Sequence, residues 1–321
     1  MAAKKRAVLL MNLGGPDSLD AVQPFLFNLF SDKEIIKLPL SFLLQKFIAK
    51  RISVSRAKKV IPRYEEIGGK SPINDITNAQ AKALETSLNE SDLDTEYTVM
   101  PVMRYAPPFS EDVINTLIEK GISDIVAVTL YPHYSRATTG SSINELNRAI
   151  KKSKKDISVR YVDRYPTHEG YIDALCKRIS DGLAKFPEGS DVHVLFSAHS
   201  LPVEFIEQGD PYVDETNATL GEILKRLDLT NHHLSYQSKS GPVEWLSPQT
   251  DKTIEKLASD GVKDILIVPI SFVSDHIETL HEIDIMFRED AEKLGIKNFI
   301  RTESFNEAAD YIDVLKKLVL Q

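Results

Sequence analysis

Apolar residues in this chain form short continuous runs that alternate with longer amphipathic segments. The short runs predict β-strands at 7–12, 96–103, 124–130, 157–162, 191–198, 232–237 and 264–270. The amphipathic segments predict helices at 18–30, 57–66, 77–89, 110–119, 141–151, 171–186, 212–227, 251–259, 277–294 and 306–319. Strands that alternate with helices are typical of α/β proteins, in which parallel sheets are joined by right-handed crossovers.

The chain also resembles itself weakly. The sequence GISDIVAVTL at 121–130 resembles GVKDILIVPI at 261–270, and the run around Val8 and Leu9 resembles the run around Val194 and Leu195. The two offsets differ by about 46 residues, which predicts two similar halves with an insertion in the first, at about 25–70. Matches of this length also arise by chance between α/β strands, so the pattern leaves the duplication open.

Composition excludes several classes of protein. A chain of 321 residues with 42% hydrophobic residues is too apolar for disorder and long enough for about two domains. A single cysteine, Cys176, excludes a disulfide scaffold, a zinc ribbon and an all-cysteine iron–sulfur cluster. The net charge of −8 argues against a nucleic-acid groove.

No segment predicts membrane insertion or export. The apolar run after the basic residues 1–6 is too short for a signal peptide, and no run of about 18 apolar residues exists. We therefore expect a cytoplasmic protein. The stretch 39–51 has an apolar face and a basic end, which fits either a packed amphipathic helix or a helix on a membrane surface. The packed helix is favoured, and peripheral contact with the inner membrane is left open.

Candidate chemistry lies just after the predicted strands, where ligands of parallel sheets bind. His199 follows a buried strand and is suited to act as a base or a metal ligand, or to be hydrogen-bonded in a turn. Asp275, Glu278 and Glu282 have helical spacing, which predicts one acidic face able to carry protons or a divalent cation. Acidic residues also favour helix N-termini for electrostatic reasons alone.

Common nucleotide and hydrolase motifs are missing. The pair Gly14-Gly15 lacks the third glycine of a dinucleotide fingerprint, and neither a P-loop nor a Gly-x-Ser-x-Gly elbow is present. The sequence therefore disfavours NAD, ATP and α/β-hydrolase chemistry.

Several longer motifs resemble those of the ferrochelatase family, in order and over nearly the whole chain. They are NLGGP at 12–16, IGGKSPI at 67–73, MRY at 103–105, YPHYS at 131–135, TTGSS at 138–142, LFSAHSLP at 195–202, GDPY at 209–212, QSKSGP at 237–242, WL at 245–246, PQT at 248–250 and SDHIETL at 274–280. The resemblance implies a lyase that inserts Fe²⁺ into protoporphyrin IX, the last step of protoheme synthesis. It also implies two Rossmann-like lobes, each with a parallel sheet flanked by helices, and a porphyrin cleft between them.

The resemblance further implies roles for individual residues. His199 and Glu278 become the catalytic and metal-binding pair, and Asp275 and Glu282 a path for protons or metal. Leu13 would face His199 across the macrocycle. The implied porphyrin-binding residues are Leu13, Leu26, Leu29, Phe30, Ile35, Arg51, Tyr64, Ser71, Arg104, Tyr105, Trp245 and Phe272. Of these, Arg51, Tyr64 and Ser71 would lie near the propionates, where a guanidinium suits a carboxylate.

The implied organisation has three parts and no resident cofactor. The predicted boundaries are 1–157 for the first lobe with its lip at about 25–70, 158–305 for the second, and 306–321 for a helix that packs back on the first. Fe²⁺ is a substrate, and a [2Fe–2S] cluster is not expected with one cysteine. Where some family members have two adjacent arginines, Arg51 is followed by Ile52, so Lys50 is a second candidate for the propionates. The partners are porphyrin and iron, and the sequence leaves open a monomer or a homodimer.

Two alternatives remain at this point. One is a chelatase for another tetrapyrrole, such as coproporphyrin, or sirohydrochlorin with cobalt. The other is a non-catalytic carrier of a tetrapyrrole or metal, against which the presence of His199 and Glu278 argues.

Overall fold

The protein consists of two compact units, each with its own sheet. The computed structural model describes residues 4–35 and 42–321, without the side chains of residues 42–44. The first unit comprises Met1–Arg164 and Asn306–Gln321, and the second comprises Tyr165–Phe305. The predicted boundary at residue 157 was too early, because the strand Ser158–Val162 pairs with the strand Asp124–Thr129 of the first sheet.

The first unit is built on a four-stranded parallel sheet. Its strands are β1 (Lys4–Asn12), β2 (Thr95–Met103), β3 (Asp124–Thr129) and β4 (Ser158–Val162), in the order β2-β1-β3-β4. Its first five helices are α1 (Val22–Ser31), α2 (Phe42–Glu66), α3 (Ile73–Ser91), α4 (Ser110–Glu119) and α5 (Ser141–Ser153), and a short π-helix, Arg136–Gly140, leads into α5.

The core of the first unit forms around β1, the apolar run that the sequence places first. Leu9 pairs with Met100 of β2 and with Ala127 of β3, and residues from Ala7 to Leu10 are fully buried. A strand covered on both faces needs a continuous apolar sequence rather than an alternating one, which is the pattern that β1 has.

The second unit repeats this design. Its strands are β5 (Val192–His199), β6 (His232–Gln237), β7 (Asp264–Val268) and β8 (Asn298–Arg301), all parallel and in the order β6-β5-β7-β8. Its helices are α6 (Glu169–Leu183), α7 (Val203–Glu207), α8 (Tyr212–Arg226), α9 (Thr250–Ser259), a π-helix at Glu278–Phe287 and α10 (Arg288–Lys293). Strand β8 is not predicted from the sequence, because four residues at a sheet edge give too little periodicity to recognise.

Matching strand order supports the duplication that the sequence left open. In each unit the first strand occupies the second position, and the matched runs fall on β3 and β7. The helices before these two strands are each followed, two residues after their last residue, by a glycine with positive φ, 69° at Gly121 and 93° at Gly261. Glycine adopts this left-handed conformation readily, which ends the helix and turns the chain into the strand.

The predicted insertion falls between β1 and β2. This connection contains α1, α2 and α3, whereas α7 and α8 connect β5 to β6. The amphipathic stretch 39–51 is only partly covered, since residues 39–41 and the side chains of residues 42–44 lie outside the described residues. None of the helices in the described ranges combines the length and the apolar character needed to cross a membrane.

The C-terminal helix α11 (Ala309–Leu320) belongs to the first unit, although it follows the second in sequence. It contacts α3 and β3. The Gln80 amide of α3 donates to the backbone oxygen of Asn306 at 2.7 Å, just before α11. The apolar side of α11 is buried, and it comprises Tyr311, Ile312, Val314, Leu315, Leu318 and Val319.

Candidate active site

His199 is the last residue of β5 and is paired with a carboxylate. Its Nδ1 lies 2.8 Å from Oε2 of Glu278, and its backbone N–H donates to the Ser271 hydroxyl at 2.9 Å. The strand before it is buried, so the imidazole is fixed where the sheet ends. About a third of its side chain remains exposed, 33% against 22% for Glu278, so a ligand can reach the pair.

Glu278 opens the π-helix Glu278–Phe287, and Glu282 lies four residues further along it. π-Helical hydrogen bonds run from residue i to i+5, which makes the helix wider than an α-helix, and such segments are frequent at functional sites. Ser238 joins the two acids: its hydroxyl lies 2.9 Å from Oε2 of Glu278 and also hydrogen-bonds Oε2 of Glu282. His199, Glu278, Ser238 and Glu282 therefore form one continuous polar chain.

His199 and Glu278 shift each other's pKa in opposite directions. Burial acts to lower the pKa of His199, but the charge and hydrogen bond of Glu278 outweigh it, and the pKa is raised above 6.5. Burial acts to raise the pKa of Glu278, but the imidazolium and its hydrogen bond hold that pKa below its usual range. Burial and the neighbouring Glu278 carboxylate raise the pKa of Glu282. The negative charge is thus concentrated on Glu278, and Glu282 accepts a proton more readily.

Two polar residues of the site, Gln237 and Ser238, lie in a strand-end motif but were given no role from sequence. The buried Gln237 amide donates to the backbone oxygen of Glu278 at 3.1 Å and to Glu282 Oε2 at 3.3 Å. Its carbonyl oxygen accepts a hydrogen bond from the Ser197 hydroxyl at 2.7 Å. The signal was present, since both residues open the motif QSKSGP at a strand end, but polar residues there are also common in ordinary turns.

The predicted single acidic face is wrong for Asp275. The π-helix begins at Glu278, so Asp275 precedes it and does not share a helix face with Glu278 and Glu282. Its carboxylate instead lies 3.0 Å from the Arg301 guanidinium and accepts hydrogen bonds from the Ser304 and Thr279 hydroxyls at 2.7 and 3.0 Å. Asp275 thereby fixes the segment leading into the helix to the loop after β8.

One aromatic side chain, Phe272, packs against the histidine. The Phe272 ring meets His199 edge-on, with centroids 6.3 Å apart, and lies 4.7 Å from the His276 ring. Trp245 forms an antiparallel bridge with Pro202, the last residue of the motif LFSAHSLP. Its indole N–H is buried and has no hydrogen-bond partner among the residues that the structure describes. The predicted residues Phe272 and Trp245 therefore both lie in the same unit as His199.

In the first unit, the predicted residues Arg104 and Tyr105 contact Asp32. Arg104 lies 2.8 Å from Oδ2 of Asp32, the Tyr105 hydroxyl donates to the same oxygen at 2.6 Å, and Ser141 at the start of α5 also donates to it. Tyr105 is only 1% exposed. Burial acts to raise the pKa of Asp32, but these three donors outweigh it and hold the pKa below its usual range. Asp32 was not expected from sequence, because its partners are distant along the chain.

The remaining predicted pocket residues occupy different environments. Leu26 is buried in α1, while Leu29, Phe30, Ile35 and Leu13 are half-buried. Arg51 is exposed on α2, with its guanidinium 5.2 Å from the Phe47 ring centroid. Tyr64 and Ser71 are each 3% exposed. Ser71 packs so closely on Gly15 that a Cβ there would lie 2.5 Å from the serine Cβ, so its side chain is enclosed in the unit.

Solved structures first identify the class of fold. SirB from Bacillus subtilis with Fe³⁺ matches 99% of this chain and 94% of its own length, with a TM-score of 0.58 and 11% sequence identity. CbiX, described as the terminal enzyme for biosynthesis of siroheme in denitrifying bacteria, matches 99% of this chain and 98% of its own, with a TM-score of 0.51 and 9% identity. At such identities the likeness shows the fold alone, which is that of the α/β chelatases.

Sequence relatives narrow the class to one family. The Ferrochelatase family model matches residues 5–321. A ferrochelatase of Geotalea uraniireducens is 51% identical over 98% of this chain and 97% of its own length. One of Aquifex aeolicus is 44% identical over 98% of both chains. The chain belongs to the ferrochelatase family, a family of enzymes, and this confirms the resemblance found in its motifs.

Proposed function

We propose that the protein inserts Fe²⁺ into protoporphyrin IX to form protoheme, as a lyase. The observation that carries the proposal is the hydrogen-bonded pair of His199 and Glu278 at the end of β5, accessible to a ligand and backed by Glu282. Membership of the ferrochelatase family supports the same reaction.

The chemistry requires two protons to leave as one metal ion enters. Free-base porphyrin carries two pyrrole N–H groups, so insertion of Fe²⁺ releases two protons and leaves the metallated ring core neutral. A neutral imidazole has a lone pair that can accept a pyrrole proton or bind the metal. We assign this role to His199, and the role of its carboxylate partner to Glu278. Glu282, whose pKa is raised, is placed to receive a proton passed on from the pair.

Asp275 has a different part in this proposal. Its ion pair with Arg301 fixes the segment that leads into the π-helix, and this sets the position of Glu278, the first residue of that helix. Asp275 can carry protons or metal at the outer end of a path only when its ion pair with Arg301 opens.

Porphyrin contacts are assigned separately in each unit. In the second unit, Phe272 offers an aromatic face beside His199, and the half-buried Trp245 offers part of its ring. In the first unit, Leu13, Leu29, Phe30 and Ile35 are half-buried apolar side chains with surface left to contact a macrocycle. Arg51 is the exposed cation that suits a propionate. Four predicted residues are too buried for direct contact and instead support the residues that touch the porphyrin: Leu26, Tyr64, Ser71 and Tyr105. Arg104 acts through Asp32.

No resident cofactor is needed for this reaction, and iron enters only as substrate. A [2Fe–2S] cluster takes four protein ligands, and the single thiol, Cys176, is buried in α6.

The exposed face of α2 supports peripheral contact with an anionic membrane. Phe47 and Val54 are 56% and 46% exposed, and Lys46, Lys50 and Arg51 lie beside them. Exposed apolar side chains among cations are typical of interfacial helices. We expect co-sedimentation with vesicles containing phosphatidylglycerol, reduced in the double variant Phe47→Ser, Val54→Ser. Equal sedimentation with purely zwitterionic vesicles would contradict an electrostatic contribution.

The function is tested by anaerobic metal insertion followed by absorbance. Protoporphyrin IX, coproporphyrin and sirohydrochlorin are each offered with Fe²⁺ and with Co²⁺, and the proposal expects fastest turnover for protoporphyrin IX with Fe²⁺. His199→Ala should lower turnover by roughly 100-fold to 10,000-fold, the usual contribution of general acid–base groups. Faster turnover of another tetrapyrrole would change the substrate, and binding without any insertion would indicate a carrier.

A further inference from the structure

Ser238 has a backbone conformation that costs stability. Its φ is 66°, and only two other non-glycine residues in the described ranges, Lys154 and Asn306, have positive φ. Side chains with a Cβ are disfavoured in this left-handed region, where glycine is at ease. Strained residues of this kind cluster at functional sites. A serine at a position that favours glycine indicates that its side chain has a function there.

The serine side chain contacts both carboxylates of the π-helix. Its hydroxyl lies 2.9 Å from Oε2 of Glu278 and hydrogen-bonds Oε2 of Glu282, so its single proton is shared between the two carboxylates. Its backbone N–H donates to Oε1 of Glu282 at 3.0 Å. Positive φ directs this N–H and the hydroxyl of the same residue toward the helix together. Glu282 is therefore bound through both of its oxygens by one residue.

The oxygen of Glu278 that Ser238 contacts is also the one that faces the histidine. Oε2 of Glu278 lies 2.8 Å from His199 Nδ1 and 2.9 Å from the Ser238 hydroxyl. The carboxylate is thereby held from two sides. Without the hydroxyl, rotation of the Glu278 side chain would be opposed on one side only.

The support behind Ser238 is rigid. Gln237, the last residue of β6, is 3% exposed and bonds the backbone oxygen of Glu278. The Ser197 hydroxyl donates to Gln237 and lies 2.8 Å from the Thr250 hydroxyl, which fixes the glutamine in the core of the sheet. Ser238 thus follows a fixed residue.

We propose that Ser238 is a positioning residue for the insertion step, which orients Glu278 toward His199 and keeps Glu282 beside it. This inference rests on the proposed function, because it assigns the pair to metal insertion. Ser238 acts through the carboxylates, so its removal slows turnover and leaves porphyrin binding intact.

Two substitutions separate the hydroxyl from the backbone. Ser238→Ala and Ser238→Gly both remove the hydroxyl, but glycine relieves the left-handed strain that alanine keeps. We expect kcat for iron insertion to fall roughly 10-fold to 100-fold in both variants, as for groups that orient metal-site ligands. The KM for protoporphyrin should stay near that of the wild type, and the Tm of Ser238→Gly should exceed that of Ser238→Ala.

Lys154→Gly is the matched control. Lys154 has a φ of 57° at the C-terminus of α5, so glycine relieves similar strain far along the chain from the site. This variant should gain Tm with unchanged kcat. Wild-type kcat in Ser238→Gly would overturn the proposal, and so would a loss of kcat confined to Ser238→Ala.

A second measurement keeps this inference distinct from the proposed function. In metal-free protein, the ring ¹⁵N signals of His199 report its hydrogen bond to Glu278 without any turnover. We expect them to shift in Ser238→Gly and to stay unchanged in Lys154→Gly. Unchanged signals in Ser238→Gly would overturn the positioning role. If the signals shift in Ser238→Gly but the wild-type protein inserts no iron, only the proposed function is overturned.

Discussion

At the scale of single residues, a histidine–carboxylate pair dominates the site. His199 and Glu278 are 79 positions apart in sequence, and a 2.8 Å hydrogen bond joins them. Each alters the titration of the other, and Glu282 provides a second carboxyl with the opposite pKa shift. Two acids of the same type thereby acquire different roles from their surroundings.

Glu278→Gln preserves the shape of the side chain but removes its charge. We expect turnover to fall by roughly 100-fold or more, since the histidine loses its anionic partner. Binding of protoporphyrin, followed by fluorescence quenching, should remain near the wild-type level. Glu282→Gln is the matched control one helical turn away, and we expect a smaller loss. A larger loss for Glu282→Gln than for Glu278→Gln would reverse the assigned order.

The raised pKa of His199 predicts a pH dependence. Because the neutral imidazole is the reactive form, turnover should rise with pH through a midpoint above 6.5. In Glu278→Gln the burial that lowers the pKa remains while the carboxylate that raises it is gone, so the His199 pKa should fall. NMR titration of the metal-free proteins measures both values. A His199 pKa that stays the same in the variant would contradict the electrostatic coupling.

The same shifts define where the pair stabilises the fold. The His199 contribution is present at low pH and lost as pH rises through its raised pKa, whereas the Glu278 contribution is lost as pH falls through its lowered pKa. The pair therefore stabilises the protein between these two values. Partial exposure of both side chains keeps the effect modest.

At the scale of secondary-structure elements, Asp32 anchors α1, which has the half-buried residues Leu29 and Phe30. It follows directly after α1 and binds Arg104, Tyr105 and Ser141, while Asn28 of α1 donates to the backbone oxygen of Tyr105 at 3.0 Å. These bonds fix the last turn of α1 to the end of β2 and the start of α5. Helix α1 is thus held by polar contacts as well as by its apolar face.

Asp32→Ala should destabilise the first unit strongly. Removing one partner of a buried ion pair leaves Arg104 without its charge partner, which typically costs about 3–5 kcal/mol. Ser141→Ala removes one donor to Asp32 and one acceptor of Arg104 but keeps the ion pair, so it should cost about 1–3 kcal/mol. Denaturant unfolding measures both values. Equal and small losses would show that α1 is held by its apolar contacts alone.

At the scale of the whole molecule, the two units differ in how they are built along the chain. The second unit is the continuous segment Tyr165–Phe305, with its own sheet and apolar core. The first unit requires two segments, because α11 returns to cover α3 and β3. Continuity of sequence therefore makes the second unit the better candidate for independent folding.

Expressed alone, residues 165–305 should fold cooperatively and retain the His199–Glu278 pair without turnover, since Arg51, Leu29 and Phe30 are absent from the segment. Residues 1–164 alone should be less stable than the same unit in the full-length protein, because the buried surface of α11 is missing. Circular dichroism with thermal melts tests both segments. A first segment as stable without α11 as with it would contradict the packing argument.

The sequence by itself determined the alternation of strands and helices, the family, and the strand-end position of His199. These depend on local apolar runs and on motifs such as LFSAHSLP, which are readable because parallel strands need continuous apolar residues and ligand sites follow their ends. The unit boundary was misplaced by a few residues, since β4 is recognised as part of the first sheet only through its pairing with β3.

Tertiary structure alone decided which polar groups meet. Spacing along an assumed α-helix put Asp275 with Glu278 and Glu282, but the chain forms a π-helix from Glu278 and pairs Asp275 with Arg301. Arg104 and Tyr105 bind Asp32, 72 and 73 positions away in sequence, a contact that the sequence did not predict. Ser238 was missed because its partners lie 40 and 44 positions away. Local patterns report which face of an element is buried, whereas hydrogen bonds between distant residues depend on how the elements pack.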